Sequence, residues 1–90
     1  MNVRADVLER HACAALYALI AVAAGSAATA ISPGLRLHED LGVDSLDLAG
    51  LLVDIENHFG VVVTADRLDH VHTVGELAST VQQLLHARSA

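Results

Sequence analysis

Residues 37–47 read Leu37-His38-Glu39-Asp40-Leu41-Gly42-Val43-Asp44-Ser45-Leu46-Asp47, and this stretch decides the fold. Gly42 and Val43 end a loop. Asp44 suits the N-cap of a helix, where its carboxylate accepts from the orphan N–H groups of the first turn. Asp47, three residues on, adds a second carboxylate at N3, where negative charge complements the helix dipole. Ser45 then becomes the first helical residue, with its hydroxyl at the surface. An anion held there would lie beside unpaired backbone donors.

Downstream, the spacing predicts a helix II over 45–59, stopped by Gly60. At about 100° per residue, Leu48, Leu52, Ile55 and Phe59 share a narrow arc that makes the core face, flanked by Leu51. Leu46, Ala49 and Val53 form a second apolar strip, predicted to stay exposed. Asp47 and Asp54 occupy another side, and Glu56 lies near Ala49. Val61-Val62-Val63-Thr64 is strand-like in propensity but too short and solitary for a sheet, so it reads as an extended loop whose valines, Val63 foremost, close the core. A short helix III comes next, over about 66–70. Thr73 and Glu76 have capping-box spacing and open a helix IV over about 74–87, with Val74, Leu77, Ala78, Val81, Leu84 and Leu85 on one stripe. Arg88 is placed to serve the C-terminus of that helix.

Upstream, helix I is expected over about 6–24 after a frayed Met1–Ala5, ended by Gly25 as the C′ residue. Val7, Leu8, Cys13, Leu16, Tyr17, Leu19, Ile20 and Val22 line it. Residues 25–44 are a long connection, turned at Ser32-Pro33-Gly34 and pinned to the core by Ile31, Leu35, Leu37 and Leu41. Ala12 to Ile31 contains no charged residue. This run is too rich in Ala, and too broken at Gly25-Ser26 and Thr29, to favour a membrane span. A secretory leader, cleaved after Ala28-Thr29-Ala30, is opposed by Asp6 and Glu9 in its charged region. A helix of the folded domain is the reading preferred. The expectation is an all-α, four-helix bundle in one domain over 1–90, with three longer helices, a short helix III and a long I–II loop.

With one Phe, one Tyr and no Trp, the core must be aliphatic, a composition that suits helices. The single Cys13 cannot form an internal disulfide; it is expected to be a buried structural thiol, and a reducing, cytoplasmic location is the corresponding expectation. The net charge is −6. Glu39, Asp40, Asp44, Asp47, Asp54 and Glu56 lie between His38 and His58 with no Arg or Lys among them. Such a surface repels nucleic acid and steers basic protein partners. The histidines lack the three or four convergent positions of a metal site. Ser45 has no evident general base: His38 is near in sequence but nothing in the sequence fixes it.

Glu39-Asp40-Leu41-Gly42-Val43-Asp44-Ser45-Leu46-Asp47, with Ile55-Glu56, Phe59 and Thr73-Val74, resembles the acyl carrier protein family over about Val7 to Leu85. In that family the serine of the Asp-Ser-Leu motif, here Ser45 between Asp44 and Leu46, carries a 4′-phosphopantetheine arm donated by coenzyme A. The resemblance implies a non-catalytic shuttle of acyl thioesters. Its partners would be a phosphopantetheinyl transferase, an acyl-loading enzyme, a ketosynthase or other biosynthetic enzymes with basic docking surfaces, and it would act as a monomer away from membranes. Asp40, Leu46, Asp47, Ala49, Val53, Asp54 and Glu56 are the candidate partner-binding residues. Peptidyl carriers more often have a Gly-Gly-His-Ser run at this place, so a peptidyl or aminoacyl carrier is an alternative, as is an unmodified helical interaction module. Gly50 stands where fatty-acid carriers generally have Glu, and Asn57-His58 replaces an acidic pair. These departures lean towards a discrete carrier of a polyketide or other specialised pathway.

Overall fold

A computed structural model describes the backbone of residues 3–89 and the side chains of residues 12–88. Among the described residues four helices succeed one another: α1 (Val3–Ala24), α2 (Ser45–Phe59), α3 (Ala65–Leu68) and α4 (Val74–Ser89), with a 3-10 turn at Ala28–Ala30 inside the long α1–α2 connection. No strand occurs among the described residues; one isolated antiparallel bridge joins Arg36 to Thr73. α1 packs against both α2 and α4.

The all-α arrangement agrees with the sequence expectation, and several boundaries move. α1 begins at Val3, three residues before the expected start, because Arg4 and Ala5 are good helix formers and nothing there breaks the turn. The expected contributions of Val7 and Leu8 concern side chains outside the described residues. α1 ends as expected. Gly25 adopts φ 67°, the Ser26 N–H donates to Ala21 O at 2.9 Å and the Gly25 N–H to Val22 O at 3.2 Å, the two bonds of a Schellman motif. α3 spans Ala65–Leu68 rather than 66–70, because the chain tightens beyond it into i→i+3 turns: His70 N–H bonds Arg67 O and Val71 N–H bonds Leu68 O. α4 runs two residues past the expected 87.

The core is aliphatic throughout. Leu16, Ile20 and Ala21 of α1, Leu51 and Ile55 of α2, and Val74, Leu77, Ala78 and Val81 of α4 are buried, joined by Ile31, Leu37, Val43, Val61 and Val63 from the connections. Two expectations shift here. Leu51, read as a flank of the α2 core face, is at its centre with 1% exposure, while Leu48, Leu52 and Phe59 are only half-buried. Both Val61 and Val63 close the core while Val62 points out, an extended alternation without a partner strand. Cys13 is half-buried rather than enclosed, and the Gln82 side-chain amide donates to its Sγ at 3.0 Å. Burial, with Cys13 close by, pushes the Tyr17 phenol above its usual range.

The long connection is strapped, not loose. Leu37 N–H donates to His72 O, Val74 N–H to Leu35 O and Gly75 N–H to Pro33 O, each at 2.9 Å. A Cβ on Gly75 would stand 3.1 Å from the Pro33 carbonyl oxygen, so glycine is what lets the loop lie this close to the start of α4. The far end of α2 is held by a contact the sequence did not reveal. Arg88, expected to serve its own helix terminus, donates instead to Phe59 O at 2.8 Å and Gly60 O at 3.4 Å, neutralising the last carbonyls of α2. Among the described residues, no helix is long and apolar enough to cross a membrane.

Candidate functional site

The site is the junction where the strapped loop becomes α2. Residues 36–43 fold back on themselves. Leu41 N–H and Asp40 N–H both donate to Arg36 O at 3.1 Å, Gly42 N–H to His38 O at 2.9 Å and Val43 N–H to Leu37 O at 2.9 Å. Gly42 turns the chain with φ 68°. Buried Leu37 and Val43 anchor this knot in the core, which fixes where Asp44 and Ser45 emerge.

Asp44 then caps α2 as expected, with extended backbone at φ −86° and ψ −176°. Asp44 Oδ1 accepts from the Asp47 N–H at 2.8 Å and Asp47 Oδ2 accepts from the Asp44 N–H at 3.3 Å, a reciprocal capping box. The amide bond from Asp47 holds the Asp44 carboxyl below the usual carboxylate range, and the Leu46 N–H and the nearby His38 imidazole act in the same direction. As expected of the cap, the Asp44 carboxylate takes the Asp47 N–H and so occupies that part of the helix N-terminus.

Ser45 is exposed, as are Leu46 at 80% and Val53 at 55%, with Ala49, Asp54 and Glu56 also exposed and Asp47 half-buried. The structure therefore brings Leu46, Ala49 and Val53 together as an uncovered apolar strip beside the α2 carboxylates. Asp40 does not join them as a free acid. Its carboxylate accepts from Arg36 Nε and Nη2, each at 3.3 Å, and from the Arg36 backbone N–H at 2.8 Å. That engagement, the guanidinium bond first, lowers the Asp40 carboxyl and raises Arg36. Sequence reasoning missed this pair because Arg36 lies just outside the acidic window and reaches Asp40 only through the fold-back of residues 36–43.

His38, too, is fixed after all. Its Nδ1–H donates to Val43 O at 3.2 Å, since a carbonyl oxygen can only accept. This orients the ring beside the Asp44 cap, but no hydrogen bond joins it to Ser45 among the described residues. No group of three or more His, Cys, Asp or Glu side chains converges among the described residues as a metal site would need.

An exposed alcohol on the first residue of a helix whose cap is already satisfied suits a covalent tether better than an ion-binding pocket. Comparison with known proteins decides the family. A family model described as the phosphopantetheine attachment site matches residues 14–81. The chain belongs to the phosphopantetheine-attachment family. Phosphopantetheine is thus the group this fold serves, and the exposed position of Ser45 fits it. The chain is also similar to an acyl carrier protein of Thermotoga maritima, with 44% identity over 50 residues. That stretch is 56% of this chain and 62% of the length of the relative, so it spans less than two thirds of that protein.

Proposed function

We propose that Ser45 is the attachment point of the phosphopantetheine arm and that the protein is an acyl carrier. The observation that carries this reading is the position of Ser45: exposed, first in α2, and set between a buried Val43 anchor and an uncovered Leu46. In the modification, Ser45 Oγ would form a bond to the phosphorus next to the pantetheine of coenzyme A as the pyrophosphate bond breaks. 3′,5′-ADP leaves, and the hydroxyl proton passes to a base of the transferase. The arm's terminal thiol supplies the chemistry, holding the acyl group as a thioester. The chain's own residues position and present it: Asp44 and Asp47 stiffen the helix start, and the knot at residues 36–43 sets its direction.

Leu46, Ala49 and Val53, with Asp47, Asp54 and Glu56, form the surface on which the transferase and the biosynthetic enzymes would dock. Asp40 contributes less than its charge suggests, because Arg36 already pairs with it. Gly50 and Asn57-His58 favour dedicated enzymes of a polyketide or other specialised pathway over general fatty-acid synthesis. The test is intact-mass measurement after incubation with coenzyme A and a broad-specificity phosphopantetheinyl transferase. The mass should rise by one phosphopantetheine, and Ser45→Ala should abolish the gain. An unchanged mass, or a gain that survives in Ser45→Ala, would sink the reading in favour of an unmodified interaction module.

A further inference from the structure

A phosphodiester on Ser45 would carry a negative charge into an acidic neighbourhood. Asp44 precedes it in the chain, and Asp47 is locked into the same first turn by the capping box. The Asp44 carboxylate already holds the Asp47 N–H, so the helix N-terminus offers the phosphate less than its full set of donors. Between Arg36 and Arg67 the chain has no Lys or Arg. Arg36 directs both Nε and Nη2 at Asp40. Arg67 reaches Gln83, and Arg88 lies at the far end of α2 on Phe59 O. Among the described side chains, then, every arginine is placed elsewhere.

His38 is the group that remains. The fold-back of residues 36–43 returns it to the root of α2, where its Nδ1–H donates to Val43 O at 3.2 Å. That carbonyl is two residues before Ser45, a stretch of chain that spans at most about 7 Å. The ring is also close enough to the Asp44 carboxylate to interact with it electrostatically. His38 is exposed, and its Nε2 makes no hydrogen bond among the described residues. With Nδ1 committed as a donor, Nε2 is an acceptor in the neutral ring and a second donor in the imidazolium. The other charged and titratable groups around it are Glu39 and the Arg36–Asp40 pair in the fold-back, and His72 with Glu76 across the strap, where the Leu37 N–H meets His72 O.

We infer that His38, as the imidazolium, binds the phosphate of the arm on Ser45 through its Nε2–H. Val43 O holds the ring, and the ring holds the root of the arm. Such a charge-assisted bond is stronger than a neutral one, and it offsets the repulsion between the phosphate and Asp44. His38 is an anchor for the attached arm and not a base for its attachment, since no hydrogen bond joins it to Ser45 among the described residues. The inference rests on the modification of Ser45 proposed above.

The test is NMR of the apo protein and of protein loaded by coenzyme A and a broad-specificity transferase, with loading read by intact mass. Wild type and His38→Gln are titrated over the range of imidazole, about pH 5 to 8. A phosphodiester does not titrate there, and carboxylates at their ordinary values near 4 do not either, so the phosphorus signal senses a neighbouring imidazole. In loaded wild type that signal should shift through one inflection, at the midpoint shown by the His38 ring signals. The His38 midpoint should stand about one pH unit higher in loaded than in apo protein, the scale of a unit charge about 4 Å away, while the His72 midpoint stays in place. Loaded His38→Gln should give a flat phosphorus signal. A flat signal in loaded wild type, an inflection that survives in His38→Gln, or equal movement of the His38 and His72 midpoints overturns the inference and leaves the Ser45 reading intact. Should His38→Gln fail to fold or to load, the two wild-type measurements decide alone. Failure of the wild type to gain mass overturns both.

Discussion

The molecule begins two helices with the same device and puts them to opposite uses. At α2, Asp44 and Asp47 exchange bonds with each other's amides. At α4, Thr73 Oγ1 accepts from the Glu76 N–H at 3.1 Å while Glu76 Oε1 accepts from the Thr73 and His72 N–H groups, each at 3.0 Å. The residues just inside each helix meet different surroundings. Val74 is fully buried and strapped to Leu35, whereas Ser45 and Leu46 stand in solvent. A capping box fixes where a helix starts; the next one or two side chains decide whether that start is cemented into the core or offered to a partner.

The largest expected contrast is in packing. Val74→Ala should lower unfolding stability by about 2 kcal/mol through lost burial and a residual cavity. Leu46→Ala, at a position 80% exposed, should fall within about 0.5 kcal/mol of wild type. Urea denaturation of both variants measures it. Equal losses would mean that Leu46 is packed in the folded molecule and that the two helix starts are not distinct.

This contrast also shows what could be read from the residues. Both ends of α2 are local signals: Asp44 with Asp47 at the start, and Gly60 at the stop, where φ is 69° and its N–H bonds Glu56 O at 2.8 Å. The same holds for Gly25, for the Thr73–Glu76 box, and for the exposure of Leu46, Ala49 and Val53. What periodicity could not supply is where the neighbours stand. It gave the α2 core arc but displaced its centre from Leu51, because the direction from which α1 approaches is not written in α2 alone. Arg88 reaching Phe59 is a contact across 29 residues, and no local pattern announces it. At the site, the exposed serine and its cap were legible. The Arg36–Asp40 pairing and the His38–Val43 bond depend on how residues 36–43 fold back, and so emerged only with the backbone.

A smaller effect sharpens the comparison at the caps themselves. Thr73→Ala removes the oxygen that accepts from Glu76 N–H and should cost about 1 kcal/mol. Since Val74 comes directly after, that loss should appear as global destabilisation, seen as a lower urea midpoint with an unchanged slope. Asp44→Ala should instead fray the first turn of α2 with little change in midpoint, read by faster amide exchange at Leu46, Asp47 and Leu48. Global unfolding in both would erase the distinction between a cemented start and a free one.

The smallest expected effect is on pH. Asp44 and Glu76 both have carboxyl groups held below their usual range by backbone N–H bonds, from Asp47 at the first and from His72 and Thr73 at the second. A carboxyl lowered in the folded state adds stability that is present above its unfolded pKa and is lost as pH falls through the folded one. The melting temperature should therefore drop as pH is taken below about 4, the ordinary carboxylate range. Asp44→Asn and Glu76→Gln keep an acceptor oxygen for the capping amide but cannot titrate, so each should flatten part of that slope. The two should not flatten it alike. The Glu76 box is coupled to the buried Val74 and reports in global melting, whereas the Asp44 box opens locally. Its titration should show more clearly in the amide shifts of Leu46 and Asp47 than in the melting curve. A melting slope altered as strongly by Asp44→Asn as by Glu76→Gln would place the start of α2 in the same cooperative unit as the core, and a tether at Ser45 would then move with the whole bundle instead of with the first turn.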